Sequence, residues 1–299
     1  MRFKGMDLNL LVALEVLLTE RNVTRAATRL NLTQSATSSA LARLREQFGD
    51  DLLIQAGKGF RRSARAEQLL PKLRGILTRV EAELMDQDGA DPRKSNRRIR
   101  IMASDYVSLT SLGPALATLS KQAPRLRFEI VPMTDEPSLA IESYAVDLLI
   151  TPDIYLSKRH PTAEFFTDSY VILTWSGNQR VGDNLSEEEY LASPHIAVRF
   201  QREGRPTFDD LYLQQKGRLK RRVTTVPSHA LVPHFLSGTD MLATIQRRQA
   251  LIFAEHFPLK ILPLPIDIPD IREMFQWHLS NNDDTVLGYV RSSLMDAMV

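Results

Sequence analysis

Leu8, Leu11, Leu14, Leu17 and Leu18 recur at the three- and four-residue spacing that lines one face of a helix, and the pattern runs out at Glu20-Arg21-Asn22. Thr24 then offers a cap, its hydroxyl placed to accept from the free amides of the next turn, and Ala26, Ala27 and Leu30 supply the inner face of a short second helix. Asn31-Leu32 breaks that helix. Thr33 is a second cap, and Ala36, Ala40, Leu41, Leu44 and Phe48 form the inner stripe of a third. Two short capped helices around a tight break predict a helix-turn-helix. Residues 51–55 read as a strand, Gly57-Lys58-Gly59 as a hairpin tip and Phe60-Arg61-Arg62 as the returning strand, which makes a wing. From Ser63 to about Met85 a helical stripe of Leu69, Leu70, Leu73, Leu77, Val80 and Leu84 continues for longer than so small a unit requires. It predicts a linker and dimerisation helix, in which Pro71 is either a first-turn proline or a kink.

Residues 86–96 are polar and include Gly89 and Pro92, the composition of a domain boundary. Beyond them strand-like and helical runs alternate. The first block runs from residues 99–103 through a helix over 106–122, a strand over 127–131 and a helix near 138–143 to a strand at 147–150. A second block holds strands near 170–175, 196–200, 222–225 and 244–245. A return of the chain at 273–278 and a final helix then complete the first block. The predicted fold class is α+β and α/β multidomain. Residues 1–65 form a winged helix-turn-helix and 66–90 the linker helix. Residues 91–299 form a two-lobed α/β domain with a largely parallel sheet, lobe I at about 96–165 and 270–299, and lobe II at about 166–269.

Composition narrows the class. The 299 residues are 43% hydrophobic and 25% charged, as in an ordinary soluble globular protein. No window holds the eighteen or more uncharged apolar residues of a spanning helix, and Arg2, Lys4, Asp7 and Glu15 interrupt the first twenty, so no membrane attachment and a cytoplasmic location are expected. The absence of cysteine removes disulfides and thiolate chemistry. The net charge of +2 conceals an asymmetry: the first 65 residues hold eleven Lys and Arg against six Asp and Glu, so only this end suits a polyanion. The six histidines are scattered, with His229 and His234 five apart rather than four, which argues against a metal site. No nucleophile elbow, P-loop, dinucleotide glycine turn or HExxH motif is present, so neither an enzyme nor a cofactor is expected.

A recognition helix presents its N-terminal residues to base edges in the major groove. Those residues are Thr33, Gln34, Ser35, Thr37 and Ser38. Gln pairs bidentately with adenine, and hydroxyls bond bases or phosphates. Thr24, at the start of the preceding helix, joins this set, with Arg43 and the wing residues Arg61 and Arg62 as phosphate contacts that set register and affinity. Taken singly, a Thr-Gln-Ser at a helix start is better explained by capping. The agreement of caps, break, hairpin and charge favours DNA.

Residues 7–11 (Asp-Leu-Asn-Leu-Leu), Thr24-Arg25-Ala26-Ala27, Leu32-Thr33-Gln34-Ser35-Ala36 with Ser38, and the Arg-Leu-Arg-Glu-Gln-Phe of 43–48 resemble the N-terminal signature of LysR-type transcriptional regulators. The match is dense over residues 5–70. Arg43-Leu44-Arg45, Asp50-Asp51-Leu52 and Arg65-Ala66-Glu67 are similar to the branch of nodulation-gene activators and aromatic-catabolism regulators. Ser35 stands where proline is frequent, and Arg45 where glutamate is. Ala103-Ser104-Asp105-Tyr106, Val146-Asp147-Leu148, Gly238-Thr239-Asp240 and Trp277-His278 extend the resemblance more thinly. It implies lobes similar to periplasmic binding proteins with an effector, an aromatic or other organic acid, in the cleft. Ser104 follows a strand, where open α/β sheets place ligands. Asp105, Arg199, Phe200, Ser228, His229 and Thr239 are the further candidates. The resemblance also implies dimers assembled into homotetramers on double-stranded promoter DNA, acting as activator or repressor through RNA polymerase. A regulator of the same fold that needs no effector is an alternative; a solute-binding protein is a weaker one, since no export signal is seen.

Overall fold

The computed structural model describes residues 2–3, 6–7, 9–57, 59–80, 91–199 and 206–297. The chain divides into two compact units, residues 1–89 with 142–145, and residues 90–141 with 146–299.

In the first unit β1 (Arg2–Phe3) pairs antiparallel with β2 (Met6–Asp7), and three helices follow: α1 (Asn9–Glu20), α2 (Val23–Leu30) and α3 (Gln34–Phe48). Their apolar stripes meet in one core, where Leu14, Leu17 and Leu18 pack with Ala26, Ala40, Leu41 and Leu44. Leu8 of the expected stripe lies outside the described residues, and Ala36, expected inside, is exposed. Thr33 caps α3 by accepting from the Ala36 N–H at 3.2 Å, whereas α2 is capped by Asn22 and not by Thr24. Arg21 turns the chain with a left-handed φ of 49°, so the next helix begins at Val23 and Thr24 already lies inside it. The Asn22 side chain accepts from the Arg25 N–H at 3.0 Å.

The wing is an antiparallel pair, β3 (Leu53–Ala56) and β4 (Gly59–Arg62), with Gly57 at a φ of 57° beside the tip; Lys58 lies outside the described residues. At its root the buried Leu52 adopts a φ of 58°, a conformation leucine seldom holds unless neighbours over-determine it. Here they do. Asp50 Oδ1 accepts from the Leu52 N–H at 2.7 Å and from Ser63 Oγ at 2.5 Å, while the Ser63 N–H donates to the Leu52 carbonyl at 3.0 Å. Ser63 Oγ also accepts from the Ala66 N–H at 3.0 Å and so starts α4 (Ala64–Val80). Arg45 donates to the carbonyls of Asp51 at 2.8 Å and Leu53 at 2.7 Å, which ties α3 to the wing. Pro71 falls inside α4, beyond its first turn; Leu84 lies outside the described residues.

The second unit holds two five-stranded sheets. Strands β5 (Arg98–Met102), β6 (Arg127–Val131), β7 (Leu148–Pro152) and β8 (Thr162–Asp168) belong to the first. The chain passes through Ser169 alone into the second sheet, of β9 (Tyr170–Trp175), β10 (Pro194–Val198), β11 (Arg221–Val226), β12 (Leu242–Gln246) and β13 (Leu259–Leu262). It then returns to the first as β14 (Ile271–Gln276). The strand orders are 6-5-7-14-8 and 11-10-12-9-13. In each sheet four of the five strands run in one direction, as expected of a largely parallel sheet, and one strand runs against them. The departures lie at the crossings: β9, which enters from β8, runs antiparallel to β12 and β13, and the returning β14 runs antiparallel to both β7 and β8.

Each sheet buries its own side chains. Ile99, Ile101, Leu148, Ile150 and Phe275 pack against Leu287, Val290 and Leu294 of the terminal helix, Thr285–Asp296. The second sheet is covered on both faces, by Val232, Leu236 and Phe253 with Val171 and Ile245, and by Tyr190 and Leu213 with Ile172 and Leu242. Arg97, nearly buried, donates to Asp147 at 3.2 Å and to Asp284, whose other oxygen caps the terminal helix by accepting from the Leu287 N–H at 2.9 Å. Among the described residues no helix is long and apolar enough to cross a membrane, and no group of three or more His, Asp or Glu is placed to hold a metal ion.

Candidate nucleic-acid interface and ligand cleft

Gln34, Ser35 and Ser38 are exposed at the N-terminal end of α3, next to the capping Thr33, whose hydroxyl lies 3.0 Å from that of Ser35. Ser39 is exposed as well, and the sequence reading did not include it. Thr37 does not belong to this surface: it is fully buried, and its Oγ1 donates to the Thr33 carbonyl at 3.0 Å. Three residues on from Gln34 the helix has turned its inner stripe to the core, and Thr37 shares that stripe with Ala40, Leu41 and Leu44. Thr24, exposed on α2, remains a surface residue.

The three arginines part company. Arg43 is half exposed and pairs with Asp7 at 3.1 Å; this bond and the Asn9 N–H hold the Asp7 carboxyl below its ordinary range. A surface pair of this kind is weak and exchanges readily for a phosphate. Arg61 is exposed on the wing. Arg62, expected on phosphate, is instead fastened: it donates to the Leu18 carbonyl at 3.1 Å and pairs with Glu67 at 2.8 Å. Its register opposite Leu53 puts it at the wing root, where it binds the hairpin to the flanking helices.

The second unit contains a cavity of ≈ 90 Å³ lined from both sheets. Ser104, just after β5, lines it while its Oγ accepts from the Val107 N–H at 3.2 Å. His229, after β11, also lines it. Asp105 and Ser228 stand beside the cavity and not on its wall, where they join the lobes: the Asp105 carboxylate accepts from Ser228 Oγ at 2.5 Å and the Ala230 N–H at 3.0 Å, and lies 3.1 Å from His229 Nδ1. Burial opposes ionisation of Asp105, but His229, Ser228 and the Ala230 amide outweigh it and hold the carboxyl far below the usual carboxylate range. Arg199 and Thr239 are off the wall. The Arg199 N–H pairs with the Val226 carbonyl at 2.9 Å, and Thr239 Oγ1 turns back to the Leu236 carbonyl at 2.9 Å. Phe200 lies outside the described residues.

Most of the wall went unread in the sequence: Tyr106, Thr151, Tyr155, Tyr170, Phe208, Gln246 and Glu273 among others. Tyr106 donates to Asp168 Oδ2 at 2.7 Å, and burial together with that carboxylate pushes its phenol well up. Burial, reinforced by Asp168 and Asp153, pushes Glu273 up to about 8. Behind Thr207 and Phe208, Lys220 pairs with Asp209 at 2.6 Å and Asp210 at 2.7 Å, and Arg222 reaches Asp210 at 3.2 Å. Burial opposes the charge on Lys220, but the two carboxylates raise its pKa nonetheless, so Lys220 stays charged and holds Asp209 and Asp210 behind that wall. One signal was available. In Ile271-Arg272-Glu273-Met274-Phe275 the alternation puts a carboxyl on the same face as Ile271 and Phe275, both buried.

A winged helix-turn-helix bearing an exposed polar recognition face, joined in one chain to a two-lobed α/β unit with a cleft, defines a class of DNA-binding transcriptional regulators. The chain belongs to the LysR family: residues 8–67 match the model of the bacterial regulatory helix-turn-helix protein, lysR family, and residues 92–284 that of the LysR substrate binding domain. It is 38% identical over 296 residues to Nodulation protein D 2 of Rhizobium tropici, covering 99% of this chain and 94% of the relative. With Nodulation protein D 1 of Rhizobium meliloti the identity is 37%, covering 99% and 96%. These relatives agree with the nodulation branch named from the sequence. Among solved structures, a probable transcriptional regulator from Pseudomonas aeruginosa is 27% identical with a TM-score of 0.73, covering 97% of both chains. Full-length CbnR in complex with its target DNA superposes with a TM-score of 0.69 over 98% of this chain and all of that one; at 13% identity this shows the fold alone. The family is one of transcriptional regulators and not an enzyme class.

Proposed function

We propose that this cytoplasmic regulator binds promoter DNA as a dimer of dimers, with Gln34, Ser35 and Ser38 reading base edges and Arg43 and Arg61 anchoring phosphates. The exposed polar face at the start of α3 carries this reading, because short hydrogen-bonding side chains stand there with the core-facing stripe behind them. A small effector in the cleft shifts the placement of the DNA-binding pairs, and with it contact with RNA polymerase, to the extent that it binds the two arrangements with different affinity. The alternative of an effector-independent regulator is disfavoured by the cavity wall, where several buried polar atoms lack a protein partner. The aromatic part of the expected effector suits a wall of Tyr106, Tyr155, Tyr170 and Phe208. Footprinting of the promoter with Gln34→Ala tests the DNA reading: protection is expected to be lost at the operator, and an unchanged footprint refutes it.

A further inference from the structure

Four side chains on the cavity wall are more than nine-tenths buried and each has a polar atom without a partner: Thr151 Oγ1, the Tyr170 hydroxyl, Gln246 Oε1 and Glu273 Oε2. They come in two pairs, one from each sheet. Tyr170 and Gln246 are cross-strand partners at the ends of β9 and β12, and Glu273 lies opposite Pro152, next in β7 to Thr151. Two of the four, the Gln246 carbonyl and a carboxylate oxygen of Glu273, are acceptors, and the two hydroxyls can accept as well. Leaving buried polar groups unmatched is costly, and among these wall residues the Gln246 carbonyl and an ionised Glu273 call for a ligand that brings hydrogen-bond donors.

The charge around the cavity points the same way. Glu273 and Asp135 are on the wall, Asp168 and Asp153 act on Glu273, the latter while paired with Arg272, and among the described wall residues there is neither Lys nor Arg. His229 faces Asp105. The rings of Tyr106, Tyr155, Tyr170 and Phe208 offer π faces of the kind that attract ammonium groups. We infer that the cleft takes a small organic cation, an amine carried on an aromatic or cyclic body, with its ammonium on Glu273 and Gln246 and its body against the tyrosines. The inference rests on the cleft being the effector site and names the ligand class for it. It replaces the organic acid expected from the sequence, whose carboxylate would face Glu273. Because burial holds the Glu273 carboxyl near 8, the empty site is mainly protonated at pH 7, and a bound ammonium ionises it and releases a proton.

The test is calorimetric titration of the full-length protein with three probes of matched shape, benzylamine, benzyl alcohol and benzoate, at pH 7 in buffers of different ionisation heat. The amine is expected to bind at least about tenfold more tightly than either twin and to release up to one proton; Glu273→Gln, near-isosteric, is expected to weaken it about tenfold or more and to abolish the release. Benzyl alcohol or benzoate binding as tightly as the amine, failure of the amine to bind, or unchanged amine affinity and proton release in a folded Glu273→Gln protein each overturns the inference. Promoter footprints taken with and without benzylamine separate the two claims. Amine binding that leaves the footprint unchanged counts against the effector reading alone, whereas a footprint altered by benzoate and not by the amine counts against the ligand class alone.

Discussion

Gln34 and Thr37 stand three residues apart on α3, and substituting each in turn separates recognition from folding. Thr37→Val exchanges a buried hydroxyl for a methyl on the same branched frame and removes the 3.0 Å bond to the Thr33 carbonyl. That carbonyl keeps the Thr37 backbone N–H, also at 3.0 Å, so no acceptor is stranded. The lost neutral bond is worth about 0.5–1.5 kcal/mol net, and burial of the methyl offsets up to about 0.8 kcal/mol. A destabilisation of about 0–1.5 kcal/mol is expected, with operator affinity within about twofold of wild type. Gln34→Ala removes an exposed side chain, so its folding cost stays within about 0.5 kcal/mol, but loss of one bidentate base contact costs about 1–3 kcal/mol, or roughly 5- to 150-fold on the operator. Anisotropy titrations of a labelled promoter and of a scrambled duplex at one salt concentration, with parallel thermal melts, measure both. If Thr37→Val lowers specific affinity by more than about tenfold with an unchanged melt, the buried assignment of Thr37 is wrong; if Gln34→Ala changes neither, Gln34 is off the bases.

Four more outcomes follow from the geometry. Arg61→Ala is expected to reduce the slope of log affinity against log salt by about 1 while leaving the melt unchanged, whereas Arg62→Ala, which frees the wing from Leu18 and Glu67, is expected to lower the melting temperature; the reverse pattern would exchange their roles. Ser63→Ala removes both the bond to Asp50 and the cap of α4, with an expected cost of about 1–2 kcal/mol in denaturant unfolding of the first unit. Asp105→Asn weakens the contact with Ser228, His229 and Ala230. Since the folded carboxyl is held below its unfolded value near 3.9, the wild-type advantage over this variant is expected to be level above about pH 5 and to vanish as acid titrates the folded group, read from melts across pH. Glu273 has the opposite sign. Its folded state keeps a proton that the unfolded chain loses above about pH 4.3, so wild-type stability is expected to fall relative to Glu273→Gln between about pH 4.5 and 8; an equal difference at pH 5 and 8 would contradict the buried neutral carboxyl.

What the sequence disclosed and what it withheld divide along the range of the interactions concerned. Thr33 as a cap, the hairpin of residues 53–62 and the inward stripe of α1 depend on neighbours a few residues away, and local pattern is enough to find them. Thr37 was misplaced because a polar residue near a helix start looks like surface until the phase of the inner stripe is followed through Ala40, Leu41 and Leu44, and Arg62 because its partners, Leu18 and Glu67, belong to two other elements. The cleft was the least legible part. Its wall gathers residues from Ser104 to Glu273 at the ends of strands whose order, 6-5-7-14-8 and 11-10-12-9-13, no local pattern states. Of the candidates, Asp105, Ser228 and His229 come together after β5 and β11, where Asp105 joins the lobes beside the cavity, whereas Arg199 and Thr239 stand off the wall. Glu273 too went unread, although a carboxyl on the inner face of a strand was a signal that local pattern offered. A buried, unpaired carboxyl is tolerated where the neutral form persists or a ligand supplies the partner, and its place on a cavity wall that also holds Tyr170, Gln246 and Thr151 makes ligand chemistry the stronger reason for its presence.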